Sequence, residues 1–403
     1  MAQAIVHPAH NLSLSELAPR VLQSEIRAMT MECDRMGGVN LAQGVCDTEV
    51  PAPVAEGAIA AVRAGHNIYT RLDGIERLRR AIAAKLREDR GLDVDANREV
   101  LVASGATGAF HAAAMALLNP GDEVILFEPF YGYHANTLTS MRVKPVIVPL
   151  ASPGWALDLD ALRAAITPRT RGVLVNTPAN PSGKIFTRTE LEAVAAVAVE
   201  HDLFIFTDEI YEYFLYGNAQ HISPAMLDGM RERTILMSGF SKTFAITGWR
   251  LGYLVADAKW LGAISYFHDL TYVCAPSAFQ HGAAAGLEQL GPDFYYGLAR
   301  DFEAKRDRLV AALQDAGLTP DIPAGAYYIL ADASRIPGEN AVQKARTLLA
   351  RTGVASVAGS AFFRPGGGEN LLRFCFAKKD ADLEDACQRL RDWPSGQSRF
   401  APS

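Results

Sequence analysis

Between residues 100 and 238 the chain alternates short, almost uninterrupted apolar runs with longer stretches of helical periodicity. Residues 100–103, 123–127, 143–148, 172–176, 203–207 and 234–238 read as strands. Residues 109–118, 159–166 and 190–200 read as helices between them. A strand that is apolar at every position, such as Leu203-Phe204-Ile205-Phe206, needs cover on both faces. That requirement is met in mostly parallel sheets whose crossovers are helices. The fold class is therefore α/β, a mostly parallel sheet sandwiched by helices, and ligands of such sheets collect at the carboxyl ends of the strands.

The flanks differ in texture. Ile75, Leu78, Ile82 and Leu86 recur at helical spacing over residues 74–90, with Gly91 as the stop. Beyond about residue 285 a helix over 301–316 leads into the segment 325–330. A helix over 342–351, a strand over 371–376 and a helix over 382–392 follow. This is the pattern of a smaller α+β unit. The expected division is a large domain at 45–285 and a small one made of 1–44 and 286–403. Residues 1–40 carry few signals, and the tail 394–403 is expected to be loose.

Composition bounds the function. With 39 Lys and Arg against 45 Asp and Glu the formal net charge is −6, which gives no surplus of positive charge for a nucleic-acid backbone. The five cysteines, Cys33, Cys46, Cys274, Cys375 and Cys387, include no CxxC pair, so neither a zinc site nor a disulfide framework is expected, and no metal ligands are assigned. Residues 1–20 lack a basic stretch followed by an apolar run, and nowhere are about 18 apolar residues consecutive. A cytoplasmic protein without membrane contact is expected. There is no GxGxxG after the first strand and no GxxxxGK[ST], which disfavours dinucleotides and nucleoside triphosphates.

Four segments fall at strand ends or helix starts. Ser238-Gly239-Phe240-Ser241-Lys242 ends a strand in a lysine among small residues, with Arg250 eight positions on. A lysine that forms a Schiff base must spend time unprotonated, which a partly desolvated site near other positive charge favours. Asp208, in Thr207-Asp208-Glu209-Ile210-Tyr211, lies just past an apolar strand; a carboxylate there can pair with a pyridinium nitrogen or simply cap a turn. Asn180, in Asn176-Thr177-Pro178-Ala179-Asn180-Pro181, is a turn residue able to donate to a bound ring oxygen. Ser104-Gly105-Ala106-Thr107-Gly108 opens a helix, where backbone N–H groups and the helix dipole favour an anion.

Taken together, and in this order and spacing, these segments resemble the class I aminotransferases of fold type I, pyridoxal 5′-phosphate (PLP) enzymes. Within them they resemble the kynurenine–glutamine and bacterial methionine/aromatic branch. The resemblance runs from about Asn40 to Arg389. It implies that Lys242 carries PLP as a Schiff base, that Asp208 pairs with the pyridine nitrogen, and that Tyr211 and Asn180 hydrogen-bond the ring oxygen. It implies further that Tyr131, in Glu128-Pro129-Phe130-Tyr131, stacks on the ring, and that Gly105, Ala106, Thr107 and Arg250 hold the phosphate. The position three before the lysine, a phosphate-binding serine in many relatives, is Gly239 here, leaving Ser241 or water to substitute. Arg373 would grip the substrate α-carboxylate, the backbone at Gly44 would close over the substrate, and Tyr69 would reach the phosphate of a neighbouring subunit in a homodimer. The implied reaction moves an amino group from an L-amino acid to a 2-oxo acid. A PLP-dependent C–S β-lyase shares the same cofactor residues. A ligand-sensing regulator of this fold would need a DNA-binding helix pair before it, and the first 40 residues contain no basic helix pair.

Overall fold

The computed structural model describes residues 12–21 and 25–393; the tail 394–403 lies outside them, as do residues 1–11 and 22–24. The strands Val100–Ala103, Gly252–Val255, Thr234–Gly239, Phe204–Asp208, Thr170–Asn176, Glu123–Glu128 and Lys144–Pro149 lie side by side in that order in one sheet. Gly252–Val255 runs antiparallel to both of its neighbours, while every other pairing is parallel. The sheet is thus mostly parallel, with one reversed strand that the apolar pattern did not disclose.

Successive residues of a strand point to opposite faces, and here both faces are buried. Leu101, Leu126, Phe206, Met237 and Leu254 join one core with Ala109, Ala113, Leu261 and Ile264 of the helices Gly105–Leu117 and Ala258–Tyr272. Their alternate neighbours face the other way. Ile125, Val173 and Ile205 meet Leu191, Val194 and Val197 of the helix Arg188–Glu200. Val100, Val102, Tyr253 and Val255 meet Leu78, Ile82 and Leu86 of the helix Glu76–Arg90. Two-sided burial is the physical reason that the strands read as continuous apolar runs.

Helix ends follow local chemistry. Arg188–Glu200 begins at a capping box of Thr187 and Glu190, and Glu76–Arg90 ends at Gly91 in the left-handed region, φ +67°. The helix expected over 301–316 begins nine residues earlier, as Pro292–Asp315, with the proline in its first turn. Helices at Ala52–Arg63, Gly132–Ser140 and Ser277–Gln289 were not anticipated.

A second sheet orders Val357–Ala358, Leu371–Cys375, Tyr328–Asp332 and Thr319–Pro320, all antiparallel. Val39–Asn40 pairs in parallel with Val354–Ala355, which brings the segment after residue 40 back to the carboxyl edge of the large sheet. Among the described residues no helix is long and apolar enough to cross a membrane.

Candidate active site

Because six of the seven strands share one direction, their carboxyl ends share one edge. Asp208 ends the strand Phe204–Asp208; Lys242 lies three residues past Thr234–Gly239; Asn180 follows Thr170–Asn176. Tyr131 caps the helix after Glu123–Glu128, and Ala106 and Thr107 form the first turn of the helix after Val100–Ala103. The reversed strand enters at this same edge, so Arg250, just before Gly252, arrives there as well. These residues line a cavity of about 440 Å³ together with Gly44, Tyr211, Ser241 and Arg373. Gly105 adjoins the lining residue Ala106 without lining the cavity itself, and Tyr69 is 77% exposed on the surface outside it.

Lys242 is buried, and its Nζ donates to the Gly44 carbonyl at 3.0 Å and lies over the rings of Tyr211 and Tyr327. Among the described residues no carboxylate pairs with it. Burial lowers its pKa below the usual lysine value, and the charges of Arg250 and Arg373 add to that. Asp208 is buried, with Oδ2 2.9 Å from His134 Nε2. The Tyr211 hydroxyl lies 2.9 Å from that of Tyr328, and burial with the neighbouring Tyr328 holds the Tyr211 phenol neutral, its pKa well above the ordinary value.

Arg373 is 1% exposed. It donates to Asn180 Oδ1 at 3.0 Å and to the Ala42 carbonyl at 2.6 Å, and its guanidinium is sandwiched between the rings of Tyr328 and Phe362. Its Nε is buried without a hydrogen-bond partner, and among the described residues no carboxylate neutralises it. A buried cation of this kind is incomplete until an anion reaches it.

Glycines set the closest approaches. A Cβ at Gly44 would fall 2.0 Å from the Tyr328 hydroxyl. Gly105, at φ +74°, would place a Cβ 2.6 Å from Arg250 Nη2, so only glycine lets that arginine lie over the helix start. Gly239 faces the reversed strand: a Cβ would meet Gly252 Cα at 2.8 Å. A serine does not fit at this position without backbone movement, which accounts for glycine there, while Ser241 lines the cavity.

Behind the cavity lies a buried ionic cluster that the sequence did not disclose. Asp208 and Tyr211 face the cavity, whereas Glu209 and Glu212 of the same segment turn away from it. Glu209 accepts from Arg90, from Ser223 Oγ at 2.6 Å and from Thr207 Oγ1 at 3.0 Å, with His221 Nε2 at 2.9 Å. Glu212 accepts from Arg90, from Lys85 Nζ at 2.7 Å and from Ser238 Oγ at 2.8 Å. Burial would push both carboxyls up, but the facing cations more than reverse it and hold both at about 2. The cluster thereby ties the Asp208–Tyr211 segment, through Ser238, to the strand that leads to Lys242.

His134 and Tyr328 are among the cavity residues that sequence reasoning passed over. His134 lies three positions after Tyr131, on the same turn, which was the available signal; Tyr328 stands in an apolar strand and gave none. Cys46 is buried, and burial pushes its thiol up to about 12 despite Lys242, as suits a packed residue.

The site can be compared with those of known proteins. The family model "Aminotransferase class I and II" matches residues 37–390. The chain is 37% identical over 373 residues to a probable N-succinyldiaminopimelate aminotransferase of Mycobacterium tuberculosis, covering 90% of this chain and 94% of that protein. It is 32% identical over 389 residues to kynurenine–oxoglutarate transaminase 3 of Mus musculus, covering 89% and 86%. Among solved structures it is similar to YbdL of Escherichia coli, described with a methionine aminotransferase function. The TM-score there is 0.90 and the identity 31%, over 94% of this chain and 100% of that one.

Proposed function

Because the chain belongs to the class I and II aminotransferases, PLP-dependent enzymes that move an amino group from an amino acid to a 2-oxo acid, we propose that Lys242 is the residue to which its cofactor is covalently attached. The observation that carries this is the state of Lys242: buried at the carboxyl edge of the sheet, lowered in pKa, and without a carboxylate partner among the described residues. The surroundings fit the group. Asp208 suits the pyridine nitrogen, Tyr211 and Asn180 the ring oxygen, and Tyr131 the ring face. The backbone of Gly105, Ala106 and Thr107, with Arg250 and Ser241, suits the phosphate. The orphaned Nε of Arg373 and its aromatic sandwich suit a carboxylate held by a guanidinium fork.

When bound, PLP supplies an electron sink that makes the substrate Cα–H acidic. The protein's part is positional. Asp208, its carboxylate fixed by His134, would hold a proton on the pyridine nitrogen. Arg373 orients the substrate through its α-carboxylate, with the Gly44 segment closing over it. Nζ of Lys242, the buried amine of the cavity, would accept the proton from the substrate Cα and hold it for return.

The reading extends to assembly, organisation and location. Tyr69 is assigned to the phosphate site of a second subunit in a homodimer. Support comes from Ile68, Tyr69 and Leu72, exposed beside Tyr272 and Val273, with the two segments joined by Thr70 N donating to Cys274 Sγ at 3.4 Å. Residues 45–285 are assigned to the large domain, and 1–44 with 286–403 to the small one, a boundary that falls inside the helix Ser277–Gln289, four residues before its end. A cytoplasmic location accords with cysteines that are all free.

The test is the visible absorption of the protein mixed with PLP, before and after single amino acids. A band that forms, is lost with an amino acid and returns with a 2-oxo acid supports the reading. In Lys242→Ala the exchange rate should fall by at least about a thousandfold, with an unchanged far-ultraviolet circular dichroism spectrum. Normal exchange in that variant would remove Lys242 from its role.

A further inference from the structure

The turn assigned to the cofactor phosphate is gripped from two sides. Gly105, Ala106 and Thr107 open the helix Gly105–Leu117, and Ser104 is its N-cap residue, whose own side chain makes no capping hydrogen bond. On the sheet side the turn is wedged against the reversed strand: a Cβ at Gly252 would fall 2.7 Å from Ala106 N. On the other side it meets the helix Ala258–Tyr272. The Ser104 backbone N–H donates to Nε2 of His268 at 3.1 Å. Four residues further along both helices, the ring of Tyr272 closes on Gly108, where a Cβ would lie 3.3 Å from Tyr272 Cε2. His268 is completely buried and is not among the residues that line the cavity. The reaction proposed above does not use it.

A backbone N–H can only donate, so Nε2 of His268 is the bare nitrogen and the imidazole is neutral, with its proton on Nδ1. Burial keeps it neutral: it pulls the His268 pKa down to about 4, against opposite pulls from Asp269 and the Leu72 backbone. The contact matters because of what the next residues do. N–H groups at a helix start bind an anion only while they point together. Ala106 and Thr107 line the cavity, and Gly105, at φ +74°, makes the bend between them and Ser104. With its N–H committed to His268, Ser104 fixes where that first turn begins.

We infer that His268 is a positioning residue for the cofactor's phosphate: by holding Ser104 it keeps the first turn of the helix Gly105–Leu117 ordered before the phosphate arrives. This rests on the PLP reading of the cavity. His268 acts only through the turn, so its effect falls on the phosphate and not on the ring. An anchor of this kind strengthens binding by removing an ordering cost rather than by adding a contact.

The experiment compares the wild type with His268→Leu, which removes the acceptor, and with His268→Gln, whose amide oxygen can accept from Ser104. Each protein is stripped of cofactor and titrated with PLP and with pyridoxal, which lacks the phosphate, followed by absorbance. The expected result in His268→Leu is a dissociation constant for PLP raised about five- to tenfold, with that for pyridoxal unchanged and most of the loss recovered in His268→Gln. A general loosening of the fold would weaken both ligands alike. Equal loss with both ligands, or no loss with either, in a folded His268→Leu overturns the inference and leaves the PLP reading intact. Should His268→Leu not fold, nitrogen-15 spectra of the histidine-labelled wild type at neutral pH decide. The signals missing in His268→Gln should show a bare Nε2 and a protonated Nδ1, and should shift with PLP but not with pyridoxal; a protonated Nε2, or no response to PLP, overturns the inference. A wild type that takes up neither ligand overturns the PLP reading, and this inference with it.

Discussion

Lys242 meets a carbonyl and two aromatic rings rather than a carboxylate, and Arg373 meets an amide, a carbonyl and two rings. Such contacts hold a cation without neutralising it, which keeps Lys242 easy to deprotonate and Arg373 in need of an anion. The neutral amine is the form that attacks a carbonyl. Uptake of PLP by the apoprotein should therefore accelerate with rising pH through a midpoint below the ordinary lysine value of 10.5, followed by stopped-flow absorbance. A midpoint at or above that value would contradict the burial argument. The sign for stability is the same: with its folded pKa depressed, charged Lys242 weakens the apoprotein at lower pH, and the penalty is relieved as pH rises through the folded pKa toward the unfolded one. Arg373→Ala should raise KM by roughly ten- to a hundredfold for every amino acid tested, the α-carboxylate being common to all. An effect confined to one substrate would deny that role. At this scale Lys242, Asp208 and Asn180 were legible as residues just past strand ends, while Arg250 and the roles of all four came only from the family resemblance. The contacts of His134 and Tyr328 were not legible, because they depend on which strands become neighbours.

The segment Asp208–Glu212 alternates between two environments, with Asp208 and Tyr211 on the cavity and Glu209 and Glu212 in the buried ionic cluster. Removing one member leaves buried charges unpaired, so Glu212→Ala should lower unfolding free energy by about 3–5 kcal/mol, measured by urea denaturation at neutral pH. Both carboxyls are held at about 2, below their usual value near 4.5. Their contribution is thus fully present above the unfolded value and is lost as pH falls from about 4.5 toward 2. Wild-type stability should decline across that window, and less steeply in Glu212→Ala. Elements were legible where pattern and cap agreed, as in Glu76–Arg90 with Gly91, or the all-apolar strand Phe204–Asp208. The helix Gly132–Ser140 escaped notice because it opens on glycine and carries threonine and serine through its interior. Ala258–Tyr272 escaped because its aromatic residues fall on several faces, leaving no single apolar stripe.

At the scale of the whole molecule, the homodimer proposed above would cover the exposed apolar residues around Tyr69 and Tyr272. Light scattering should give twice the mass of 43.5 kDa. Tyr69→Phe should keep that mass while weakening PLP binding by about threefold to tenfold, as for one hydrogen bond, read from fluorescence titration. A monomer that binds PLP normally would exclude shared sites. The α/β class and the order of strands and helices followed from the apolar runs. The reversed strand did not, since Leu251–Val255 is a short apolar run whose direction only its neighbours reveal.

That strand also imposes a schedule on synthesis. Val100–Ala103 has one neighbour in the sheet, Gly252–Val255, with Ala103 paired to Gly252. A ribosome adding about 5–20 residues per second needs on the order of 10–30 s to bridge that gap of about 150 residues. Throughout that interval the all-apolar strand lacks its partner in the sheet. The nascent chain is therefore a natural client for chaperones that shield hydrophobic segments, and its dependence on them should end once residue 255 has emerged.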